Sequence, residues 1–405
     1  MNILLISAIY PEPERYGLKK DTLAVHYFAR QWVKKGNKVL VVHPYYNGVG
    51  KISDFIKIHK LGICHSEIEG VTVIFGSSQM VLPHALKPFL FQERCLATRI
   101  KKYIRNNFPD FVPDVVSVHF PYVLWGFVEK FCESEIPALA VFHGTDVRQL
   151  LLLKSSKKKG FAYMLNSRYK LFGFRSPLLL EKSCNGFLDK SKSTIVLSGL
   201  DEALIADKQS VSEKAEAPLN EGTLSIIYAG KLVKQKRIDF VLQALSLVKD
   251  ELPFRFYIVG DGEELSNLQT RAACLGLKDM VVFTGRVSRE KLSGLMRKSD
   301  VFIMMSTNET LGLVYLEAMA QGCIPVGSKG EGIDGIIKDG ENGYLCNPYN
   351  LNDLSDTIRK IYSLSKEKKR DYILNAYYTV RDMTEKRLAE RYLDILRNIS
   401  NYGNK

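Results

Sequence analysis

Two glutamates separated by seven residues stand in the stretch Ser306-Thr-Asn-Glu-Thr-Leu-Gly-Leu-Val-Tyr-Leu-Glu-Ala-Met-Ala-Gln-Gly322. A strand pattern precedes this stretch, and the spacing predicts a turn at Gly312 into a helix that ends near Gly322. Glu309 then falls in a strand-end loop and Glu317 on the helix. Open parallel sheets bind ligands at the carboxyl ends of their strands, and a helix that begins there offers unpaired N–H groups and a positive dipole end to an anion. Gly312, Leu313 and Val314 would supply such donors to a phosphate. A carboxylate accepts two hydrogen bonds from a diol, so the chemistry in view is recognition of sugar or ribose hydroxyls beside phosphate. By spacing alone, an exposed helix with two solvated glutamates fits equally well.

The elements that must position these groups follow from the rhythm of the chain. Short Val- and Ile-rich runs alternate with longer helical patterns, the signature of parallel sheets covered by helices on both faces. Strands are expected at Asn2 to Ser7, Lys38 to His43, Val71 to Phe75, Val115 to Val118, Ala138 to Phe142 and Thr194 to Leu197, with a helix over Thr22 to Lys35. The rhythm restarts with strands at Leu224 to Ala229, Phe254 to Val259, Met280 to Phe283, Val301 to Met304 and Ile324 to Val326. Helical spacing fills the gaps, as at Ile238, Val241, Leu242, Leu245 and Val248. From Asn352 onward the pattern is almost wholly helical. Residues 203–222, rich in small and charged residues and without periodicity, read as a linker between an N-terminal domain (1–202) and a C-terminal one (223–380). Residues 381–405 read as a closing helix. A chain of 405 residues exceeds the size at which one core usually keeps growing, which agrees with two domains.

Composition narrows the class. The net charge is +13, and residues 1–202 hold 28 Lys+Arg against 17 Asp+Glu, leaving 29 against 27 for the remainder. Most of the excess therefore lies in the first half, which suits an anionic partner such as nucleic acid, a phospholipid surface or a phosphorylated substrate. The basic, aromatic segments Pro88 to Arg105, Lys154 to Gly160 and Arg168 to Arg175 fit peripheral contact with an anionic membrane, or a core with a solvated lysine face. The seven cysteines are scattered without metal spacing and read as apolar fillers in a reducing cytoplasm. The amino terminus meets Pro11 and Glu12 directly after a short apolar run and reads as a first buried strand rather than a signal peptide. No apolar run approaches the ~18 residues of a membrane-spanning helix. RNP-like aromatic pairs, zinc spacing and recognition-helix signatures are absent, which speaks against nucleic-acid binding.

The Glu-x7-Glu spacing, the following Ala318-Met-Ala-Gln-Gly-Cys-Ile-Pro-Val326 and Gly340-Glu-Asn-Gly-Tyr-Leu345 resemble glycosyltransferase family 4, the group 1 retaining transferases. Tyr228-Ala-Gly-Lys-Leu-Val-Lys-Gln-Lys236, Val259-Gly-Asp-Gly-Glu263, Val282-Phe-Thr-Gly-Arg286 and His143-Gly-Thr-Asp146 extend the resemblance in order. It is strongest over residues 224–350. The resemblance implies an α/β GT-B architecture, with two Rossmann-like domains facing each other across a cleft and the C-terminal helix crossing back to the first.

By the same resemblance, Lys231 and Lys236 neutralise a donor diphosphate, with Lys at 231 giving a point charge where an Arg would give a fork. Arg286 and Val287 stand where the family holds the nucleotide base through main-chain groups, though a structural loop is an equal reading. His143 would lie beside the transferred sugar, and Asp146 would orient it or meet the acceptor. Gly17 matches one glycine of a pair that lets backbone amides approach the diphosphate, or is an ordinary turn residue. Glu309 would position the sugar and Glu317 the ribose. The implied reaction is metal-independent, retaining transfer from a UDP- or GDP-sugar to a hydroxyl of a glycan or lipid-linked acceptor, with front-face attack and no cofactor. The implied setting is bacterial surface polysaccharide or lipopolysaccharide assembly in the cytoplasm, at the inner face of the plasma membrane. The rivals are a non-transferase GT-B enzyme, such as a sugar-nucleotide epimerase or a phosphorylase, and a basic nucleic-acid-binding protein. A single-domain transferase with a metal-bound donor is disfavoured because no Asp-x-Asp occurs.

Overall fold

The computed structural model describes residues 1–11, 23–47, 62–79, 89–153, 155–184, 188–217 and 222–401. They form two compact units. Unit 1 comprises Met1–Arg175, Leu179–Ser198 and Glu385–Lys405; unit 2 comprises Ser176–Leu178 and Gly199–Thr384.

Unit 1 is built on strands β1 (Asn2–Ser7), β2 (Lys38–Asn47), β3 (Ile63–Ile68), β4 (Val71–Gln79), β5 (Val115–His119), β6 (Ala138–Phe142), β7 (Leu171–Phe174) and β8 (Ser193–Ile195). Their order in the sheet is β3-β4-β2-β1-β5-β6-β7-β8. Every pairing is parallel except that of the edge hairpin β3–β4. Because side chains alternate along a strand, β1 feeds two cores. Leu4 and Ile6 join Phe127, Phe131, Leu96 and Ile100 on one face. Ile3 and Leu5 join Phe28, Trp32 and Tyr392 on the other.

The second of these cores is completed by the C-terminal helix Glu385–Asn401, which buries Leu388, Ala389, Tyr392, Leu393, Leu396 and Ile399. Trp32 Nε1 donates to the carbonyl of Ala389 at 3.0 Å, and Arg30 pairs with Glu385 at 2.7 Å. Each large side chain so buried contributes roughly 1.5–3 kcal/mol.

Unit 2 carries β9 (Leu224–Ala229), β10 (Phe254–Val259), β11 (Val281–Gly285), β12 (Val301–Met304), β13 (Ile324–Ser328) and β14 (Tyr344–Cys346). All are parallel, in the order β11-β10-β9-β12-β13-β14. Their near-continuous apolar sequence is what a sheet covered on both faces requires. The flanking helix Ile238–Ser246 alone buries six apolar side chains.

Several sequence expectations are altered. Residues 203–222 are not an open linker: Lys208–Glu216 is a helix of unit 2, capped by Asp207, with Val211 and Ala215 buried. Lys214 reaches from it to the carbonyls of Met296 (3.2 Å) and Gln321 (3.0 Å). Strands β3, β7 and β14 add to the expected set, β2 and β4 run further, and the first helix begins only at His26.

Of the basic aromatic segments, 168–175 is mostly core and 88–105 contributes one buried stripe, while in 154–160 Lys159 and Gly160 are exposed and Lys154 lies outside the described residues. Phe89–Asn107 is a helix that buries Leu96, Ala97 and Ile100. Of the segment 168–175, Tyr169, Phe172, Phe174 and Arg175 are all buried. Among the described residues, no helix is long and apolar enough to cross a membrane.

The turns after β9 and β10 touch backbone to backbone. A Cβ at Gly260, whose φ is +140°, would lie 1.8 Å from the carbonyl oxygen of Gly230. Gly260→Ala is therefore expected to destabilise unit 2 by about 2–4 kcal/mol, through combined overlap and backbone strain, read as a lowered midpoint in urea. Gly276→Ala, at another positive-φ turn, has only the end of the Lys249 side chain within 4 Å and serves as the milder control.

Candidate active site

In unit 2 the strand β9 is flanked by β10 on one side and β12 on the other. The winding of the chain thus reverses between β9 and β12. Loops leaving the two strands diverge there, which opens a crevice at their carboxyl ends.

From β9 the chain enters the loop bearing Lys231, which is exposed, then a 3-10 turn at Lys234–Lys236. Gln235 accepts a hydrogen bond through its carbonyl from the N–H of Thr307 at 2.9 Å, tying this loop to the one after β12. Lys236 Nζ pairs directly with Glu309, both side chains being mostly buried. The backbone fixes Glu309 in turn. Its N–H donates to Glu331 Oε2 at 3.0 Å, its carbonyl accepts from Gly332 N–H at 3.1 Å, and its Oε1 accepts from Thr310 N–H at 3.2 Å. Asn308, just before it, takes a left-handed conformation (φ 64°), which asparagine tolerates better than most side chains.

Gly312 caps the helix Leu313–Ala320 with φ 78°. A Cβ there would meet the Tyr315 ring at 2.7 Å, so glycine is required on both counts. The buried Tyr315 donates its hydroxyl proton to the carbonyl of Met304, pinning the helix to the end of β12. The first N–H groups of the helix, at Leu313 and Val314, have no intrahelical acceptor.

Glu317 lies one turn further on, largely buried, with Arg289 Nη1 at 2.9 Å. Burial raises its pKa while the Arg289 guanidinium opposes the rise. Arg289 itself is exposed at the start of the helix Arg289–Lys298, so a ligand can displace it from the carboxylate. Arg286 and Val287 follow β11 at the same carboxyl edge, the first exposed and the second half-buried.

Thus Lys236 and Glu309 meet, and Gly312 to Val314 lie between the loop that holds them and Glu317. Lys231, Arg286 and Val287 share the edge without a recorded bond to these groups. Sequence reading missed Arg289 and Glu331. Both act through partners far along the chain, though Arg289 stands only three residues beyond Arg286.

In unit 1 the winding reverses between β1 and β5. His143 follows β6 and caps the helix Gly144–Leu152. Asp146 is fully buried and accepts from His143 N–H at 2.9 Å and Tyr122 N–H at 3.1 Å. Burial pushes its carboxyl up to about 7 against the pull of these donors. The half-buried His143 ring stacks on Phe120, with centroids 3.8 Å apart, and Phe120 itself holds a strained φ of 62°. Burial, then the neighbouring His119 and the buried Arg175, hold His143 well below the ordinary imidazole range. Gly17 lies outside the described residues.

Residues 210–379 match the family described as Glycosyl transferases group 1. Among curated relatives, the N-acetyl-alpha-D-glucosaminyl L-malate synthase of Bacillus anthracis is 26% identical over 58% of this chain and 61% of its own length. The alpha-monoglucosyldiacylglycerol synthase of Streptococcus pneumoniae is 28% identical over 47% and 40%. The sulfoquinovosyl transferase SQD2 of Arabidopsis thaliana is 34% identical over 40% and 30%. The chain thus covers less than two thirds of each of these relatives. In three dimensions it is similar to Anabaena Alr3699/HepE in complex with UDP, with a TM-score of 0.69 at 16% identity over 98% of this chain and 100% of that one. It is also similar to the lipopolysaccharide outer core galactosyltransferase WaaB, with a TM-score of 0.67 at 13% identity over 98% and 99%. The match to the group 1 glycosyl transferases thus lies in residues 210–379, on a chain with the GT-B fold.

Proposed function

We propose that the protein is a retaining glycosyltransferase that works without a bound metal ion. It moves a sugar from a UDP- or GDP-linked donor to a hydroxyl of a glycan or lipid-linked acceptor, in bacterial surface polysaccharide or lipopolysaccharide assembly. The observation that carries the reading is the row at the carboxyl edge of unit 2: the Lys236–Glu309 pair, the open helix start at Gly312 to Val314, and the buried carboxyl of Glu317. An ammonium, free amides and two carboxylates in that sequence match a sugar, a diphosphate and a ribose.

On donor entry the Lys236 ammonium turns from Glu309 toward the diphosphate, leaving Glu309 to accept from sugar hydroxyls. Lys231 and the amides of Gly312, Leu313 and Val314 take the remaining negative charge, which grows as the nucleotide leaves. Glu317 exchanges Arg289 for the ribose hydroxyls, and the backbone at Arg286 and Val287 meets the base. The bond from the sugar to the phosphate oxygen breaks as the acceptor oxygen bonds on the same face. The departing phosphate oxygen takes the acceptor's proton. His143 stands beside the transferred sugar, and Asp146 holds its backbone.

A lipid-linked acceptor is supported by relatives whose names specify diacylglycerol and lipopolysaccharide products. The basic first half supports contact with an anionic bilayer and, with it, work at the cytoplasmic face of the plasma membrane. Exposed Leu151, Leu152, Tyr163 and Met164, on two consecutive helices of unit 1, add an apolar component to that charge.

A panel of UDP-, GDP- and ADP-sugars, scored for thermal stabilisation and for hydrolysis, tests the reading: one UDP- or GDP-sugar stabilises, and binding by none overturns it. Transfer persists in EDTA; its loss defeats metal independence. Glu317→Ala weakens donor binding about 10- to 100-fold, as expected for losing hydrogen bonds to a charged group, while the melting temperature stays near wild type. Unchanged affinity in calorimetry removes Glu317 from the site.

The Asp146 carboxyl titrates near 7 in the folded state and near ~4 unfolded. The folded state therefore binds more protons between these values, and this group's contribution to stability falls as pH rises through that window. Asp146→Asn flattens the fall in melting temperature between about pH 4 and 7; an unaltered slope assigns the trend to other groups.

A further inference from the structure

The reading above leaves unused a chain of buried polar groups in unit 1. His119 ends β5, is completely buried, and uses both ring nitrogens. Its Nδ1 lies 3.0 Å from Nε2 of His143, and its Nε2 lies 3.2 Å from the hydroxyl of Tyr392. That hydroxyl in turn bonds Ser117 Oγ. Tyr392 belongs to the helix Glu385–Asn401, 273 residues along the chain from His119.

A neutral imidazole has one N–H and one bare nitrogen. Two neutral rings in contact therefore share one proton, and His119 passes the choice along. If His119 Nδ1 donates to His143, its Nε2 accepts from the Tyr392 hydroxyl. If His143 Nε2 donates to His119, then His119 Nε2–H donates to Tyr392, whose hydroxyl proton turns to Ser117. The tautomer of His143 is thus coupled to the direction of the Tyr392 hydroxyl.

The groups facing the pair keep both rings neutral. Arg175, buried after β7, holds the carbonyl of Val196 at 3.1 Å and the hydroxyl of Ser198, and has no carboxylate partner recorded among the described residues. The burial of His119 itself, and then the charge of Arg175, hold His119 well below the ordinary imidazole range. Asp146, the other ionisable group here, spends its oxygens on backbone N–H donors. The remaining walls are rings: Phe28 lies 6.4 Å from His119, and Phe120 stacks on His143.

We propose that His119 and Tyr392 are positioning residues that fix the ring orientation and tautomer of His143, so that the C-terminal helix is a working part of the acceptor-side machinery. The catalytic consequence rests on the transferase reading; the tautomer coupling does not. Tyr392→Phe removes one hydroxyl and keeps the ring that packs at 5.0 Å on both Phe28 and Trp32. His119→Asn keeps a polar partner for His143 but cuts the link to Tyr392.

The experiment is long-range proton–nitrogen correlation on the full chain labelled with 15N-histidine, paired with transfer kinetics using the donor that binds. Wild type shows His143 neutral and in a single tautomer. Tyr392→Phe gives a tautomer mixture and a fall in kcat of about tenfold, the low end of what such supporting partners are worth, with donor KM unchanged. In the His119→Asn background, Tyr392→Phe has no further effect. A His143 tautomer unchanged in Tyr392→Phe, or equal effects of Tyr392→Phe in both backgrounds, overturns the proposal. If no donor supports transfer at all, the functional reading fails, while the nitrogen spectra still decide the coupling.

Discussion

The order of strands in unit 2 is the constraint on which the donor-side geometry depends. The crossover from β9 to β10 carries the chain one way, and the later return to β12 carries it the other. Only between those two strands do neighbouring loops part. The loop after β9 delivers Lys231 and Lys236, and the loop after β12 delivers Glu309 and the helix start. On the far side of β9 the opposite condition holds: Gly230 and Gly260 press backbone against backbone and leave no room for any side chain. One flank of the same strand is thereby closed and the other open.

Within that opening, opposite charges are stored against each other. Lys236 neutralises Glu309 and Arg289 neutralises Glu317, so both carboxylates are balanced, while exposed Lys231 and Arg286 leave the edge net positive. Each pair joins residues from different segments of the chain. The Lys236 pair bridges the β9 and β12 loops already tied by the Gln235–Thr307 hydrogen bond, and the Arg289 pair joins the helix after β11 to the helix after β12. The backbone around Glu309 is fixed independently by Glu331 and Gly332. A change of partner for the carboxylate therefore leaves its position intact.

Much of this was legible in sequence for a physical reason. Glu309, Gly312 and Glu317 sit in one strand–turn–helix unit, and local spacing fixes their relation before any tertiary contact forms. Arg289, Glu331, His119 and Tyr392 enter only through pairings between distant segments, which no local period records. The short strand β14 and the helix Lys208–Glu216 escaped for a related cause. Three residues cannot establish an alternation, and two buried residues, Val211 and Ala215, cannot establish a helical face. The aromatic basic segments left two readings open in sequence, and for 168–175 burial of Tyr169, Phe172 and Phe174 selects core, because the aromatic and basic residues of one short stretch do not reveal which of them face inward.

The helix Glu385–Asn401 fills a core whose other members, Ile3, Leu5, Phe28 and Trp32, lie near the start of the chain. On a ribosome, those early residues emerge long before the helix that covers them. Unit 2, drawn almost wholly from the continuous stretch Gly199–Thr384, precedes that helix in full. Unit 1, although its strands all precede those of unit 2, is consequently the later of the two to have its whole core on the chain. Until residues 385–399 are synthesised, the sides of Trp32 and Phe28 that pack on Tyr392 lack the cover of that helix.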